Sequence, residues 1–446
     1  MSQSDKQPPR AAKDDRVRKR APVLSVFIAG GLIVACGIII GTRHHRKDTN
    51  DPQPPTTEPT EFAGEKDPEE VTETPPLVYV ETTPVATDSS LGPKVGAVKV
   101  KGVYIDAWTA GDTDEIEWLI DICNTSEINA VVIDVKEDNG YITYFSENER
   151  LESICIGVIS DISLLMSIFK ENNIYTIARL VCFKDPVRAN MSPELAISGK
   201  NGAIWTDQGG VAWLDPYNFL AWEYLATVAK DAAGVGFDEI QLDYVRFPAD
   251  GNLGQIDYGS EAEEKSKAEV IIEFIEFMKS ELEETRARLS ADVFGIIAVG
   301  KGDFEGIGQD LDLMWEPLDS VCPMIYPSHF ANARQNGIGQ VINGVLFERP
   351  DLDPYGVVYN ILLMTKDRLP DDEADHAAVR PYLQAFTASY LGSGYYQSYG
   401  AKQVLEQINA VYDAGFEEWI LWNHSGRYDI YSDLGELLPL ERISES

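Results

Sequence analysis

Apolar and polar positions alternate in a regular order after residue 100. Short runs rich in Val, Ile and Leu are each followed by a stretch whose apolar residues recur every three to four positions, a pattern typical of strands alternating with helices. Strands are predicted at residues 103–108, 130–136, 175–183, 239–247, 292–299, 321–326, 383–388 and 418–422. Helices are predicted at residues 113–127, 159–172, 217–233, 261–289 and 402–414. The least regular part, residues 328–380, is predicted to hold an extra helical excursion.

This order of elements predicts an α/β protein, and a (β/α)8 TIM barrel is the arrangement that fits eight strands alternating with helices over about 340 residues. A doubly wound open sheet is the alternative. Such a sheet binds dinucleotides through a Gly-rich turn after its first strand. No G-x-G-x-x-G sequence follows residues 103–108, so the barrel is favoured.

The N-terminal part of the chain has a different pattern. Residues 23–40 carry no charge, and as a helix they would span about 27 Å, close to a bilayer core. Seven Lys and Arg precede this segment and three follow it before residue 48. We therefore predict a basic cytoplasmic tail at residues 1–21, a transmembrane anchor at residues 22–42, and a single-pass protein of the cell membrane with its bulk outside.

Two other interpretations of this segment remain open. Cys36 closes a sequence that resembles a lipoprotein processing site, and cleavage of a secretory signal is also conceivable. Residues 38–40, which are all Ile, disfavour both because a mature chain normally begins with polar residues. Residues 43–97 are rich in Pro, Thr and Glu and are expected to form a disordered, extended stalk. The barrel is then predicted at residues 98–440.

Charge and cysteine content limit the partners and cofactors that the sequence predicts. The net charge is −36, and residues 1–47 hold ten basic and three acidic side chains, so the rest of the chain carries −43. Nucleic acid is therefore not expected as a partner, because phosphate backbones need a basic surface. The five cysteines show no metal-binding spacing, so neither a metal nor another cofactor is expected.

Charged residues inside the predicted strands are the candidates for chemistry, because barrel enzymes use the carboxyl ends of their strands. Asp243 and Gln241 alternate with apolar neighbours in the fourth strand, and Asp134 and Lys136 are expected to share a face of the second. Arg179 lies on the third strand, between the two aspartates. Either the aspartates are catalytic or they form buried ion pairs with Arg179, and for Asp243 Arg246 is a further possible partner.

Aromatic and amide side chains follow the strands as well. Four aromatic residues are expected to ring the open end of the barrel and to stack on sugar rings: Trp108, Tyr244, Tyr326 and Trp422. Other candidate substrate contacts are Arg179, Arg246, His329, Gln384 and Asn423. Paired carboxylates ringed by aromatics on an exported domain favour glycoside hydrolysis. Asp243 is the candidate nucleophile or base and Asp134 the candidate acid, with Asp138 as a further carboxylate.

Several stretches resemble a bacterial family of glycoside hydrolase barrels. They are residues 101–104, 129–136, 237–248, 322–329 and 420–423, and residues 237–248, which read FDEIQLDYVRFP, are the most specific. The resemblance covers roughly residues 100–435 and implies a TIM barrel that hydrolyses a polysaccharide.

Two departures from related patterns matter. In the family the seventh strand carries an acid at the position of Ala385, and the chitinase signature has its catalytic Glu at the position of Val245. Chitinase chemistry is therefore disfavoured. Residues 295–299, at the end of the predicted fifth strand, also lack an acid. A non-catalytic glycan-binding barrel of the cell envelope is thus the alternative to an enzyme.

Overall fold

The computed structural model describes residues 96–303, 305–370, 376–426 and 428. Its central sheet contains eight parallel strands that close on themselves: β1 Lys101–Ile105, β2 Ala130–Lys136, β3 Tyr175–Val181, β4 Glu239–Asp243, β5 Arg288–Phe294, β6 Ser320–Ile325, β7 Tyr382–Gln384 and β8 Trp419–Trp422. The ring closes because β1 pairs with both β2 and β8. The predicted (β/α)8 barrel is confirmed.

Helices connect most of these strands: α1 Thr113–Thr125, α2 Ile162–Glu171, α3 Phe219–Val235, α4 Lys267–Glu281, α5 Pro354–Lys366 and α6 Ala401–Asp413. Between β5 and β6 the described residues hold only the short helix Leu311–Met314 and the 3₁₀ turn Gly295–Ala298. Alternate strand residues such as Val131 and Ile133 pack outward against the helices, whereas Val132 lies in a separate inner cluster. The period of two predicted from the sequence therefore separates an outer core from the barrel interior.

Side-chain caps explain two differences from the predicted boundaries. The first strand ends at Ile105 because Asp106 caps a short helix, Ala107–Ala110, by accepting a hydrogen bond from Thr109 N. Trp108, predicted at the end of that strand, therefore lies on a helix. The helix predicted at 261–289 is split, because Ser266 forms a capping box that starts α4, which ends at Glu281.

The fifth strand begins and ends earlier than predicted. It covers Arg288–Phe294, and residues 295–298 form a 3₁₀ turn. Asp292, the first residue of the predicted strand, therefore lies well inside β5, and the acid-free residues 295–299 that counted against an enzyme lie beyond the strand. A cation or carboxylate near a strand end is easily assigned to the wrong side of a boundary, because sequence patterns locate boundaries only to within a few residues.

A β-bulge in β2 separates two residues that were predicted to share a face. The pairing with β3 shifts between Asp134 and Lys136, so the two side chains diverge. Lys136 pairs instead with Asp185 at 2.9 Å and is fully buried. The Thr143 hydroxyl donates to the carbonyl of Asp134 at 2.8 Å, which satisfies a backbone acceptor at the bulge.

Excursions from the barrel include β structure as well as helix. Between β6 and β7 the predicted extra helix is α5, and an unexpected hairpin of Gln340–Ile342 and Val345–Phe347 precedes it. Two short strands, Ile142–Tyr144 and Cys155–Ile159, extend the sheet beside β2. Elsewhere Ser198–Gly199 pairs with Ile256–Asp257, and Ala378–Val379 pairs with β6.

The predicted tail and anchor lie outside the described residues, as does the stalk except for residues 96 and 97. Within the part of the chain that is described, no helix is long and apolar enough to cross a bilayer.

The seam between the first and last strands is sealed by Tyr428. Its fully buried hydroxyl lies 2.9 Å from the carbonyls of Tyr104 and Leu421, and it accepts from Asn423 N at 3.2 Å. A Tyr428→Phe change leaves these backbone groups without that partner. We expect the free energy of unfolding to fall by about 1–2 kcal/mol, measured by urea titration; an unchanged midpoint would show that the hydroxyl does not stabilise the seam.

Candidate active site

The mouth of the barrel, where the strands reach their carboxyl ends, contains an arginine held between two aspartates. Arg179 on β3 donates from Nη1 to Asp134 Oδ1 at 2.6 Å and from Nε to Asp243 Oδ2 at 2.8 Å. Asp134 is opposite Arg179 in the register of β2 and β3, and Asp243 follows on β4. The ion pairs expected from the sequence are present, and the guanidinium fixes the orientation of both carboxylates.

Asp134 is fully engaged by the protein. Its second oxygen, Oδ2, accepts a hydrogen bond of 2.6 Å from the hydroxyl of Tyr104, a residue of β1 that was not among the predicted site residues. Burial raises the pKa of Asp134, while the Arg179 charge and the Tyr104 hydrogen bond oppose that rise. Asp134 therefore links Arg179 on β3 to Tyr104 on β1 and orients the guanidinium.

Asp243 lies where β4 ends in a sharp turn. Tyr244 adopts a φ of +49°, a left-handed conformation that is uncommon for a residue with a side chain. This turn brings the amide of Tyr244 within 2.6 Å of Asp243 Oδ1. Together with Arg179, the amide supplies hydrogen bonds to both oxygens of Asp243, which fix the orientation of its carboxyl group at the mouth.

Asp292 is a second carboxylate beside Asp243 that sequence reasoning missed. The register pairs Leu242 of β4 with Ala291 of β5, so Asp243 and Asp292 follow at adjacent positions on the inner face. Asp292 is 2% exposed, and its Oδ1 atom has no hydrogen-bond partner among the described residues. Burial, and then the charge of Asp243, raise the pKa of Asp292 well above its ordinary value. The raised pKa favours the protonated form of Asp292.

The third predicted carboxylate, Asp138, lies apart from this group. Lys184 Nζ donates to Asp138 at 3.1 Å and lies 3.4 Å from the Tyr244 hydroxyl. Burial acts to raise the pKa of Asp138, but the charges of Lys184 and Arg179 outweigh it and lower that pKa. Asp138 is thus an ionised carboxylate at the rim rather than a proton donor.

Aromatic side chains occupy the other half of the mouth. The half-buried Trp422 lies 5.5 Å from Tyr326, 6.1 Å from Tyr104 and 5.3 Å from Phe386, measured between ring centroids. Tyr326 is buried beneath this group, with exposed His329 against its ring at 4.9 Å. Trp108 is 69% exposed on the helix after β1. Trp422 and Trp108 thus offer ring faces at β8 and β1, across the barrel from Asp243 and Asp292.

Residues 102–428 match the sequence profile of a family described as "Putative glycosyl hydrolase domain", which covers most of the chain. The protein belongs to this glycosyl hydrolase family. A hypothetical protein from Ruminiclostridium thermocellum ATCC 27405 is 40% identical over 44% of this chain and 99% of its own, with a TM-score of 0.40. The PgaB (BpsB) glycoside hydrolase domain from Bordetella bronchiseptica is 14% identical over 76% of this chain and 99% of its own; its TM-score of 0.54 reflects a shared fold. None of the curated proteins compared with the chain matches it significantly.

Two predicted substrate contacts of this glycosyl hydrolase are buried in loop networks. Gln384 is fully buried; it accepts from Ser328 N at 3.0 Å and donates to Asp351 at 2.8 Å. Asn423 is 5% exposed, and its Oδ1 accepts from both Ser425 N and Ser425 Oγ. Both side chains therefore organise the loops after β6, β7 and β8, which differs from the sugar contact expected for them.

The structure also shows the surroundings of Ala385, which stands where the family pattern has an acid. Ala385 is fully buried, directly after β7, and belongs to the main core. Asp292 supplies a second carboxylate at the mouth independently of that position. The alternation of Leu289, Ala291 and Val293 with Ser290 and Asp292 is the sequence signal that could have located it.

No group of three or more His, Cys, Asp or Glu residues that could hold a metal ion occurs in the described ranges. At the mouth, this glycosyl hydrolase presents Asp243, which accepts from Arg179, beside Asp292, a buried carboxyl group whose pKa is raised. A carboxyl group with a raised pKa is suited to proton donation, and its neighbour is then available for nucleophilic or base chemistry.

Proposed function

We propose that this protein is a surface-anchored glycoside hydrolase that cleaves a cell-wall or extracellular polysaccharide by paired-carboxylate catalysis. The observation that carries the proposal is the adjacency of Asp243 and Asp292 on the inner face of β4 and β5. Asp243 attacks the anomeric carbon or activates water, and Asp292 protonates the departing glycosidic oxygen. Arg179, oriented by Asp134, holds the carboxyl group of Asp243 in place.

The spacing of the two strands bears on the stereochemical outcome. Adjacent strands lie about 4.8 Å apart, and carboxyl groups separated by about 5–5.5 Å are typical of retaining enzymes. Retention of the anomeric configuration, through a covalent intermediate on Asp243, is therefore the favoured course. The configuration of the first-formed product, followed by proton NMR, tests this directly.

The test of hydrolysis is the release of new reducing ends. The full-length protein is incubated with a panel of cell-wall and extracellular polysaccharides, beside an Asp243→Asn/Asp292→Asn double variant that binds but lacks both carboxylates. Release by the wild type and not by the double variant is the expected result. Equal release by both proteins would remove the carboxylate pair from the mechanism.

The competing function is a barrel that binds glycan without cleaving it, and the alanine at the family's acidic position 385 favours it. Binding to a polysaccharide with no release of reducing ends by the wild type would support this alternative. The same panel therefore separates the two functions.

The surface location is the part of the proposal that rests on sequence. The uncharged segment 22–42 and its basic flank predict an anchored chain whose stalk, residues 43–97, holds the barrel away from the bilayer. Protease added to intact cells should cut the stalk and release the barrel, and removal of residues 1–42 should abolish membrane association. A barrel protected from protease until the cells are lysed would contradict the orientation.

A further inference from the structure

Arg246, at the mouth of the barrel, differs from the other buried cations of the protein. It is 9% exposed and follows Asp243 by three residues. Lys136, Arg179 and Arg380 each have a carboxylate within 2.9 Å, whereas no carboxylate lies within salt-bridge distance of Arg246 in the described residues. A buried charge without a counter-ion is costly, so such an arrangement calls for an explanation.

Aromatic rings surround the guanidinium of Arg246. Its Cζ atom lies 4.6 Å from the ring centroid of Phe294, 4.9 Å from Tyr244 and 5.1 Å from Trp213. Cation–π contacts of this kind hold the plane of the guanidinium and partly replace lost hydration. Even so, burial lowers the pKa of Arg246 below its ordinary value. The rings therefore position the cation without neutralising it.

The hydrogen bonds of Arg246 leave one edge of its guanidinium group available to a ligand. Nη1 donates to the carbonyl of Phe247 at 2.9 Å. Nε and Nη2, on the other edge, have no acceptor among the described residues. These two parallel N–H groups form the fork that binds a carboxylate in a bidentate manner. Phe294 lies two positions beyond Asp292 on β5, and the charge of Asp243 acts on Arg246, so the guanidinium lies near the proposed catalytic carboxylates.

We propose that Arg246 forms a subsite for a carboxylate group carried by a sugar of the substrate. The inference rests on the proposed glycoside hydrolase function and narrows its substrate to a polysaccharide that contains carboxylated residues. Asp243, Asp250 and Asp207 act on Arg246 only from beyond salt-bridge distance, and the bound carboxylate would supply a counter-ion in direct contact.

The negative charge of the chain after residue 47 limits how many carboxylates per sugar the substrate can carry. Residues 48–446 carry a net charge of −43, which repels a polyanion over a Debye length of about 8 Å at physiological ionic strength. A mainly neutral chain with occasional carboxylates meets little of this repulsion and still fills the subsite. Sparse substitution is therefore the pattern that fits both observations.

The experiment compares each acidic glycan with its own neutral derivative. Oligosaccharides of glucuronoxylan, hyaluronan and alginate are used as they are and after reduction of their carboxyl groups to hydroxymethyl groups. Binding is measured by calorimetry in an Asp243→Asn background, so that turnover does not interfere. We expect at least one acidic glycan to bind about tenfold more tightly than its reduced form, because a charge-assisted hydrogen-bond pair contributes on this scale.

Variants of Arg246 test whether the preference for the acidic glycan over its reduced form depends on this residue. Arg246→Met should bring the ratio of the two affinities close to one, and Arg246→Lys, which keeps the charge but loses the fork, should leave it at about two- to threefold. Arg286→Met is the matched control; this exposed arginine precedes β5 at the opposite end of the barrel and should leave the ratio unchanged. Thermal unfolding verifies each fold, and the Lys variant decides the outcome if the Met variant does not fold.

Two results would overturn the subsite. In one, the wild-type protein binds no acidic glycan more tightly than its reduced form. In the other, both Arg246 variants keep the wild-type preference for the acidic glycan. If reducing ends are still released from a neutral polysaccharide in either case, the hydrolase function stands and only the carboxylate subsite falls. Conversely, an Arg246-dependent preference without any release would leave the subsite in place on a binding protein.

Discussion

Asp243→Asn is expected to reduce the rate of polysaccharide hydrolysis by at least about a thousandfold. Asparagine keeps the shape of the side chain, but its single oxygen can accept from only one of the two donors, Arg179 or the amide of Tyr244. It cannot attack a sugar or take a proton from water. The loss should therefore appear in kcat, with a smaller change in KM, when the release of reducing ends is measured at several substrate concentrations.

Asp257→Asn is the control for this first prediction. Asp257 is an exposed carboxylate that accepts a hydrogen bond from Gly259 N in a surface turn. Its replacement removes one negative charge from the same protein without touching the mouth, so the rate should stay within about twofold. Full activity in the Asp243 variant, with the control also active, would exclude Asp243 from the chemistry.

Asp292→Asn is expected to slow hydrolysis of natural glycans by about a hundred- to ten-thousandfold, because the departing oxygen then receives no proton. A dinitrophenyl glycoside of the same sugar needs no such proton, since its leaving group is stable as an anion. The loss on that substrate should be much smaller. Equal losses on both substrates would show that Asp292 supports the site without donating a proton.

The pH dependence of activity and of stability provides independent evidence on Asp292. Its raised pKa in the folded protein means that activity falls as pH rises through that value, and that the alkaline limb of the pH profile changes in Asp292→Asn. The raised pKa also makes the stabilising contribution of Asp292 largest below the pKa of the unfolded chain, about 3.9, and this contribution is lost as pH rises through the folded value. The stability of the variant relative to wild type should therefore rise as pH increases above about 3.9. A thermal-shift series across that range measures this difference.

Asp138→Asn serves as the comparison at the mouth. The charge of Lys184 keeps the Asp138 carboxylate ionised, so it has no proton to donate, and the substitution should not alter the relative rates on glycans with good and poor leaving groups. An effect like that of Asp292→Asn would instead make Asp138 the acid.

The sequence contained enough information to predict the barrel and the central ion pairs. Apolar alternation located all eight strands, because each strand buries one face against helices and the other in the barrel interior. Arg179 was matched with Asp134 and Asp243 because inward positions on neighbouring strands must be adjacent. These predictions depend on periodicity, which is visible in a single chain.

Strand ends and local irregularities were not predictable in the same way. The first strand stops at Ile105 because Asp106 caps a helix, and β4 stops because Tyr244 adopts a left-handed conformation. Each of these strand ends depends on a few backbone angles, and the same sequence pattern would also be compatible with a strand that continues. The sequence pattern starts the fifth strand four residues too late, which puts Asp292 at the beginning of the strand, away from its carboxyl end, where catalytic residues are expected.

The bulge in β2 affects the protonation of the carboxyl groups at the mouth of the barrel. In a regular strand Lys136 would follow Asp134 inward and add an ammonium group beside Arg179. A second cation there would stabilise the charged form of every nearby carboxylate, and Asp292 would release its proton more readily. One extra residue, Val135, instead directs that lysine to Asp185, and the Thr143 hydroxyl binds the carbonyl of the preceding Asp134. Deletion of Val135 should therefore lower the pKa of Asp292 and weaken it as a proton donor.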